Sequence, residues 1–336
     1  MRSKFKHILA PWIVAGAAIL TANLAAAKPI KFGIVTPKGS TWTNIIEEMR
    51  DELNTKSGGK LEMKVLDGGK KGDEVDMLRA MERNTLQAAA FTGVGLENLV
   101  KSIRILEAPL LFKTNQEVDT VKAQLFDYFA KEFDKKGYVL LGFAEAGFVN
   151  VFSKQKIDTE ASLKNIKMWV WSGDTVASRF LEEFGIRATP LALADVTMGL
   201  DKGMIDSFYS PPLAAVAFQW SSKVKYMLDY PFVHSTGAFI IKKDTFNELP
   251  ADQQTLLRDT AKAYCAKVVE ATRRDNESAR EALKKQGIVF LTPSPADITK
   301  FETYANNVYK KSIPDTYSKE LFDQVNGILK GVRKSK

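Results

Sequence analysis

Side chains capable of acid–base or nucleophilic chemistry are few in this sequence. His234 is the one histidine after residue 27, and Cys265 is the one cysteine of the whole chain. The sequence therefore excludes a metal site built from several histidines after residue 27, and it excludes an intramolecular disulfide. His234 lies in an extended apolar run, and Cys265 has apolar neighbours at helical spacing. Both patterns favour a structural role over a catalytic one.

The remaining candidates for catalysis are isolated carboxylates. Asp195 and Asp201 fall where a helix start and a turn are expected, and Asp206 ends a short apolar stretch. The glycine-rich segment 68–72 lacks the spacing of a phosphate-binding loop, so we interpret it as a turn. We predict no catalytic residues, no cofactor and no metal. A secreted enzyme that uses Asp195, Asp206 or His234 is the weakest alternative.

Aromatic residues suggest a binding function more strongly than the polar residues suggest catalysis. They fall at or near expected strand ends and turns, namely at Trp42, Phe91, Phe148, Trp169, Trp171, Phe208, Tyr209 and Trp220. In a two-lobed α/β protein such positions line the cleft, where ligands collect. Ordinary core packing is the alternative for each of them.

The pattern of apolar residues predicts the elements that position these side chains. Strands and helices alternate along the first part of the chain, with strands near 30–35, 61–66 and 86–91 and helices at 41–55 and from residue 73. Two further strands are expected at 138–144 and 148–152, on either side of Gly147. The alternation restarts near residue 147, with strands near 166–171, 187–190 and 205–209 and a helix over 174–184. This order is typical of parallel strands covered by helices. It predicts an α/β fold.

Two lobes are expected, because 336 residues exceed the usual size of a single hydrophobic core. We assign residues 28–146 plus about 235–274 to lobe I, and residues 147–234 plus about 275–336 to lobe II. A long extended segment over 232–242 and a helix from Pro250 to about Lys285 are expected to connect the lobes. That helix is about three times the mean length for globular proteins.

The first 27 residues have the features of a secretory signal peptide. Three basic residues precede an apolar run over 8–20, and Ala25-Ala26-Ala27 forms a cleavage site before Lys28. A retained membrane anchor is the alternative, but Pro11 interrupts the run. We therefore predict a periplasmic protein. Its lysines are scattered, so the basic stripe that nucleic-acid binding requires is missing.

An ordered set of short segments resembles the DctP-type substrate-binding proteins of TRAP (tripartite ATP-independent periplasmic) transporters. The segments span nearly all of the chain after residue 27, at positions 32–40 with Trp42, 57–59, 72–74, 108–112, 163–168, 185–190, 201–206 and 249–254. The resemblance implies a two-lobed periplasmic binding protein of the type II-like clamshell class, with crossing strands and a long lobe-spanning helix. It also implies a monomer without a cofactor that binds one small molecule and docks on membrane permease subunits. A receptor that presents its ligand to a membrane sensor is an alternative.

The resemblance also identifies a candidate ligand-binding set. These residues are Trp42, Glu74, Phe91, Thr92, Phe148, Trp169, Leu193, Asp195 and Ser210. Trp169 is the strongest candidate, as an apolar stacking wall.

The sequence departs from the family where relatives that bind carboxylates usually carry arginine. Trp169 occupies one such position, and Val149 follows Gly147-Phe148 at the other. An anion buried without a cationic partner would cost several kcal/mol. We therefore predict a neutral or largely apolar ligand. The alternative is a carboxylate held by a displaced cation, for which Arg179 and Arg187 are candidates.

Overall fold

The computed structural model describes residues 29–334, so the proposed signal peptide at 1–27 lies outside the described residues. Nine strands lie within the described part, and we number them β1 (Ile30–Gly33), β2 (Met63–Leu66), β3 (Ala88–Thr92), β4 (Tyr138–Ser153), β5 (Met168–Trp171), β6 (Ala188–Leu191), β7 (Ser207–Ser210), β8 (Tyr226–Lys242) and β9 (Val289–Leu291). The strands predicted from the sequence correspond to these with shifts of a few residues at their ends.

Twelve α-helices lie in the same range. They are α1 (Thr41–Lys56), α2 (Glu74–Glu82), α3 (Gly93–Leu96), α4 (Asn115–Lys135), α5 (Glu160–Leu163), α6 (Thr175–Phe184), α7 (Val196–Asp201), α8 (Pro212–Ala217), α9 (Lys243–Asn247), α10 (Ala251–Lys285), α11 (Pro295–Ser312) and α12 (Lys319–Lys334). A 3-10 helix over Lys101–Glu107, which the sequence pattern did not predict, joins α3 to the segment before α4.

Within residues 29–334 the strands form one mixed sheet in the order β2-β1-β3-β8-β4-β7-β5-β6, with β9 paired to β8. The pairs β1–β2, β1–β3, β5–β6 and β5–β7 are parallel, as the strand–helix alternation predicted. The two ends of the sheet form the two lobes, and β4 and β8 run through both. These two long strands are antiparallel to each other; β8 is also antiparallel to β3, and β4 to β7, whereas β8 and β9 are parallel.

The crossing of β4 and β8 is irregular at three places. Their register shifts between Leu140 and Gly142, between Glu145 and Gly147, and between Val149 and Val151. The sequence predicted two strands separated by Gly147, whereas the structure has one strand that passes through it. Gly147 has φ of 104°, which a side chain would strain. The lobe boundary predicted near residue 147 falls at this irregular crossing.

Helix α10 spans 35 residues and packs against both ends of the molecule, on α1 and on α8. The two C-terminal helices pack in different lobes. Helix α11 packs on α6 in lobe II, but α12 packs on α4 in lobe I. The apolar face of α12 explains this, because Leu321, Val325 and Leu329 join the core between α4 and the sheet. The assignment of residues 275–336 to lobe II therefore does not fit α12.

The cores fill both faces of the sheet, and Cys265 is one of their members. Its thiol is buried against β4, as the helical spacing predicted, and burial raises the pKa of this thiol. None of the helices within residues 29–334 is both long and apolar enough to cross a bilayer.

Candidate ligand-binding site

A cavity of about 430 Å³ opens between the two lobes. Its lobe I wall includes the loop between β1 and α1, the end of β3 and the start of α2. Its lobe II wall includes β5, α6, the end of β7 and α8. This volume lies within the range of small-molecule sites and is about three times the roughly 150 Å³ cavity that holds a benzene.

An aromatic group forms one wall of the cavity. The rings of Trp169 and Tyr209 stack with centroids 5.2 Å apart and planes at 20°. Trp171 stacks on Trp169 at 6.3 Å, and Trp220 meets it edge-on at 5.4 Å. The indole Nε1 of Trp169 donates to the carbonyl of Leu191 at 3.1 Å, which fixes the ring plane. Trp169 is 2% exposed and is therefore a rigid apolar part of the cavity wall.

Tyr209 occupies a gap between two strands. Strands β5 and β7 pair at Met168 and Ser207, and no further partners join them. The Tyr209 hydroxyl donates to Asp174 Oδ2 at 2.7 Å and accepts from the backbone N–H of Trp171 at 3.1 Å. Burial and the neighbouring Asp174 carboxylate raise the pKa of Tyr209, so its phenol stays neutral.

The cation in the buried part of the lining is already paired. Arg104, which is 2% exposed, forms ion pairs with Asp174 at 2.5 Å, Glu107 at 2.7 Å and Glu97 at 3.1 Å. The contact with Asp174 is also a hydrogen bond from Nη2. Three carboxylates thus surround one guanidinium, and the group carries no cationic excess that could hold an anionic ligand.

Burial affects the acids of this group. It raises the pKa of Glu97 to about 7, and the nearby Arg104 offsets only part of that effect. Burial also raises the pKa of Glu107. Glu107 Oε1 additionally accepts a hydrogen bond from the backbone N–H of Thr236 at 2.8 Å. The local surroundings are therefore costly for any additional negative charge.

Glu74 closes the lobe I side of the cavity from behind β3. Its carboxylate accepts hydrogen bonds from Thr92 N at 2.7 Å, Thr92 Oγ1 at 2.9 Å and Gly95 N at 2.6 Å. The side chain is fully buried, and this burial raises its pKa to about 8 despite those donors. Glu74 thus fixes the end of β3 and the start of α3.

Asp73 links the lobes at the mouth of the cavity. Its Oδ2 accepts hydrogen bonds from Trp171 Nε1 at 2.8 Å and from the backbone N–H of Leu193 at 3.0 Å. Its Oδ1 accepts from Glu74 N as the N-cap of α2. A second link joins Thr175 Oγ1 to Glu97 Oε2 at 3.1 Å. The two lobes are thus held in contact around the cavity.

The structure places the candidate residues of the sequence analysis in two groups. Six of them line the cavity: Trp42, Glu74, Thr92, Trp169, Leu193 and Ser210. The other three, Phe91, Phe148 and Asp195, do not. Phe91 is fully buried in the lobe I core, Phe148 packs edge-on against His234 with centroids 5.1 Å apart, and Asp195 is exposed before α7.

The other polar candidates also lie outside the lining. Arg179 donates to Thr316 Oγ1 at 2.7 Å, and Arg187 is exposed, so neither replaces the missing arginines. His234 is buried 3.3 Å from Glu145, and burial lowers its pKa. Asp206 accepts from the backbone N–H of Lys167 at 2.8 Å. Within residues 29–334 no group of three or more His, Cys, Asp or Glu side chains is arranged so that it could hold a metal ion.

Arg104 and Asp174 belong to the site but were not predicted from the sequence. A signal for Arg104 was present, because it stands in the apolar run Ile103 to Leu106, and a charged residue in such a run is buried only when it is paired. Asp174 is the N-cap of α6, where it accepts a hydrogen bond from Ala177 N at 3.0 Å. Aspartate is a common N-cap residue, so its presence there does not indicate a binding site.

Comparison with known proteins agrees with this architecture. A solute-binding protein of Verminephrobacter eiseniae is 25% identical over 243 residues, which are 72% of each chain. The crystal structure of a TRAP periplasmic solute-binding protein from Xanthobacter autotrophicus Py2, with bound β-D-galacturonate, has a TM-score of 0.82 at 21% identity and covers 89% of this chain and 98% of its own. A homologous structure from Ralstonia eutropha H16, with bound (S)-2-acetolactate, has a TM-score of 0.85 at 17% identity, with coverage of 90% and 99%.

These structural matches confirm the predicted two-lobed α/β fold. The family model described as bacterial extracellular solute-binding protein, family 7 (DctP), matches residues 32–315. The chain therefore belongs to the DctP family, whose members are extracytoplasmic receptors that bind small molecules and work with the permease subunits of TRAP transporters.

Proposed function

We propose that this receptor binds one neutral or largely apolar small molecule in the interlobe cavity and delivers it to a TRAP permease. Export to the periplasm through the signal-like segment at residues 1–27 is part of the proposal. The protein carries out no reaction on its ligand, and the two lobes close around it.

The pairing of Arg104 is the observation that carries the proposal. A carboxylate ligand needs a cation whose charge is not already balanced, and the charge of Arg104 is balanced by three carboxylates of the protein itself. Trp169 supplies an indole where family members that bind carboxylates usually carry a guanidinium. The arrangement disfavours an anion and favours an apolar group stacked on the ring.

A few polar groups in the cleft would orient the ligand. Ser210 Oγ donates to the carbonyl of Pro211 at 2.8 Å, which leaves the hydroxyl oxygen able to accept. Thr92 lines the opposite wall. We assign ligand contact to Trp42, Thr92, Trp169, Leu193 and Ser210, and a supporting role behind Thr92 to Glu74.

Native mass spectrometry of the purified protein, followed by extraction and identification of any co-purified molecule, tests the proposal. Isothermal titration calorimetry with succinate, galacturonate and gluconate then measures affinity for organic acids. A neutral co-purified compound and no measurable binding of these acids are the expected results. Submicromolar binding of any of the acids would contradict the proposal.

A carboxylate receptor with a displaced cation is the second candidate. Lys38 lines the cavity at its exposed mouth, and the two structural relatives described above hold a sugar acid and a keto acid. If Lys38 supplies the missing charge, Lys38→Gln abolishes binding of an organic acid, whereas the exposed control Lys64→Gln leaves it unchanged. If the ligand is neutral, both variants retain wild-type affinity for it.

A further inference from the structure

The cavity does not end at the interlobe cleft. It continues past β5 into lobe II, where its lining comes from β5, α6, the loop after α6 and β8. We call this part the apolar chamber, and its walls are Met168, Phe180, Leu181, Phe184, Ile186 and Phe232. All six belong to the lobe II core and are at most 8% exposed.

A cavity inside a hydrophobic core is unusual. Protein interiors are packed almost as densely as organic crystals, and their few voids are small. An apolar cavity also holds no stable water, because water requires polar partners, and it takes up apolar molecules instead. None of the six chamber side chains carries a nitrogen or oxygen atom. The chamber is therefore suited to a hydrocarbon group.

The chamber and the cleft belong to one cavity, because the same cavity is lined by residues of both. Tyr209 also lines it, beside the part of β5 and β7 that has no paired residues. The polar groups that could orient a ligand, Thr92 and Ser210, lie on the cleft side. The cavity thus has a polar end in the cleft and an apolar end in lobe II.

We infer that the ligand is an amphiphile, whose uncharged polar head lies in the cleft and whose alkyl or aryl tail enters the apolar chamber. This inference rests on the proposed function and narrows its substrate class. The chamber then acts as the selectivity element, because each methylene group that enters it leaves water.

A homologous series of 1-alkanols from butanol to octanol tests the inference. Binding is measured by tryptophan fluorescence on the full-length mature protein after exhaustive dialysis. Transfer of one methylene from water to an apolar site predicts that affinity rises about four-fold for each added carbon. An affinity that does not depend on chain length, or no binding of any member, would overturn the inference.

Filling the chamber provides a second test. Ala177 on α6 lines the cavity beside the chamber, so Ala177→Leu should reduce octanol affinity at least ten-fold and leave butanol affinity within two-fold of wild type. Ala161→Leu, on the exposed surface of α5, is the matched control and should change neither. Ala217 lines the cavity on α8. Loss of octanol affinity in Ala217→Leu but not in Ala177→Leu would place the tail on the α8 side and overturn the inference.

The two proposals can fail separately. A neutral co-purified compound together with length-independent alkanol affinity would overturn the tail assignment and leave the proposed function in place. A co-purified organic acid would contradict the proposed function, while the slope of the alkanol series would still decide whether the chamber accepts a chain.

Discussion

Arg104 and Asp174 form an ion pair of 2.5 Å between a 3-10 helix of lobe I and the N-cap of α6 in lobe II. The pair therefore bridges the cleft and also removes a cation from the ligand's reach. The carboxylate that pairs with Arg104 comes from the protein itself. The same ion pair therefore holds the two lobes together and neutralises the cation in the cleft.

Removal of Arg104 should destabilise the protein strongly. Arg104→Met leaves Glu97, Glu107 and Asp174 together without a cation, and breaking a buried charge pair costs about 3–5 kcal/mol of unfolding free energy at pH 7. Without the cation the pKa values of Glu97 and Glu107 rise further in the folded state. Their protonation then restores stability as the pH falls, so the loss should be smaller at pH 5 than at pH 8. Urea unfolding at the two pH values measures the loss of unfolding free energy. The exposed Arg79→Met is the control, and it should change the unfolding free energy by less than about 0.5 kcal/mol.

The Trp169 wall should matter for both stability and binding. Trp169→Leu removes the stacking on Tyr209 and the hydrogen bond to Leu191, and we expect a loss of about 3–4 kcal/mol of unfolding free energy. Affinity for the co-purified ligand should fall at least ten-fold by isothermal titration calorimetry. Phe126→Leu, in the lobe I core away from the cavity, should reduce stability while ligand affinity stays at the wild-type value. Equal affinity of the Trp169 variant and wild type would argue against stacking.

The hydrogen bond from Trp171 Nε1 to Asp73 should control ligand release. Trp171→Phe removes this donor but keeps an aromatic ring, and one lost hydrogen bond to a charged acceptor is worth about 1.5–3 kcal/mol. Stopped-flow fluorescence should show ligand dissociation at least ten-fold faster. Tyr264→Phe removes a hydrogen bond of the same length to Glu52 within lobe I, and its dissociation rate should match that of wild type. If ligand dissociation were faster in both variants, the cause would be a general loss of stability, and the prediction for Trp171 would be contradicted.

Glu74 should make stability fall as the pH rises. Its folded pKa of about 8 lies above the ordinary carboxyl value of 4.5, so the folded protein binds the proton more tightly than the unfolded chain does. Its contribution is complete below about pH 4.5 and is lost as the pH approaches 8. The slope should reach at most about 1.4 kcal/mol of unfolding free energy per pH unit. Urea unfolding of Glu74→Gln should show a flatter profile than wild type over this range. The exposed control Glu62→Gln should keep the wild-type slope.

The fold could be predicted from sequence because its signals are local. The alternation of short apolar strands with amphipathic helices identified the ends of β5 and α6 within two residues. Strand β4 was predicted in two pieces because Gly147 is a local turn signal. Pairing with β8 overrides that signal and carries the strand through at a positive φ.

The site was predicted less completely because its residues are far apart in the sequence, and no local pattern shows that they meet in space. Trp42 and Trp169 line one cavity although 127 positions separate them. Phe91 and Phe148 were reasonable candidates at strand ends, but their rings face the core. Arg104 and Asp174 are 70 positions apart in the sequence, so their ion pair could not be predicted from a local pattern.

The passage of β4 and β8 through both lobes has a consequence for how the chain acquires its fold. Strand β3 needs β8 as a neighbour, and β4 lies between β8 and β7. Because β8 starts only at Tyr226, the lobe I strands β2, β1 and β3 cannot join β4 in one sheet until more than two thirds of the chain has been synthesised. Until then the apolar strands β3 and β4 have open edges, which are prone to pair with other chains. Completion of the sheet thus depends on the last third of the chain, and a chain that ends before Tyr226 leaves these two edges exposed.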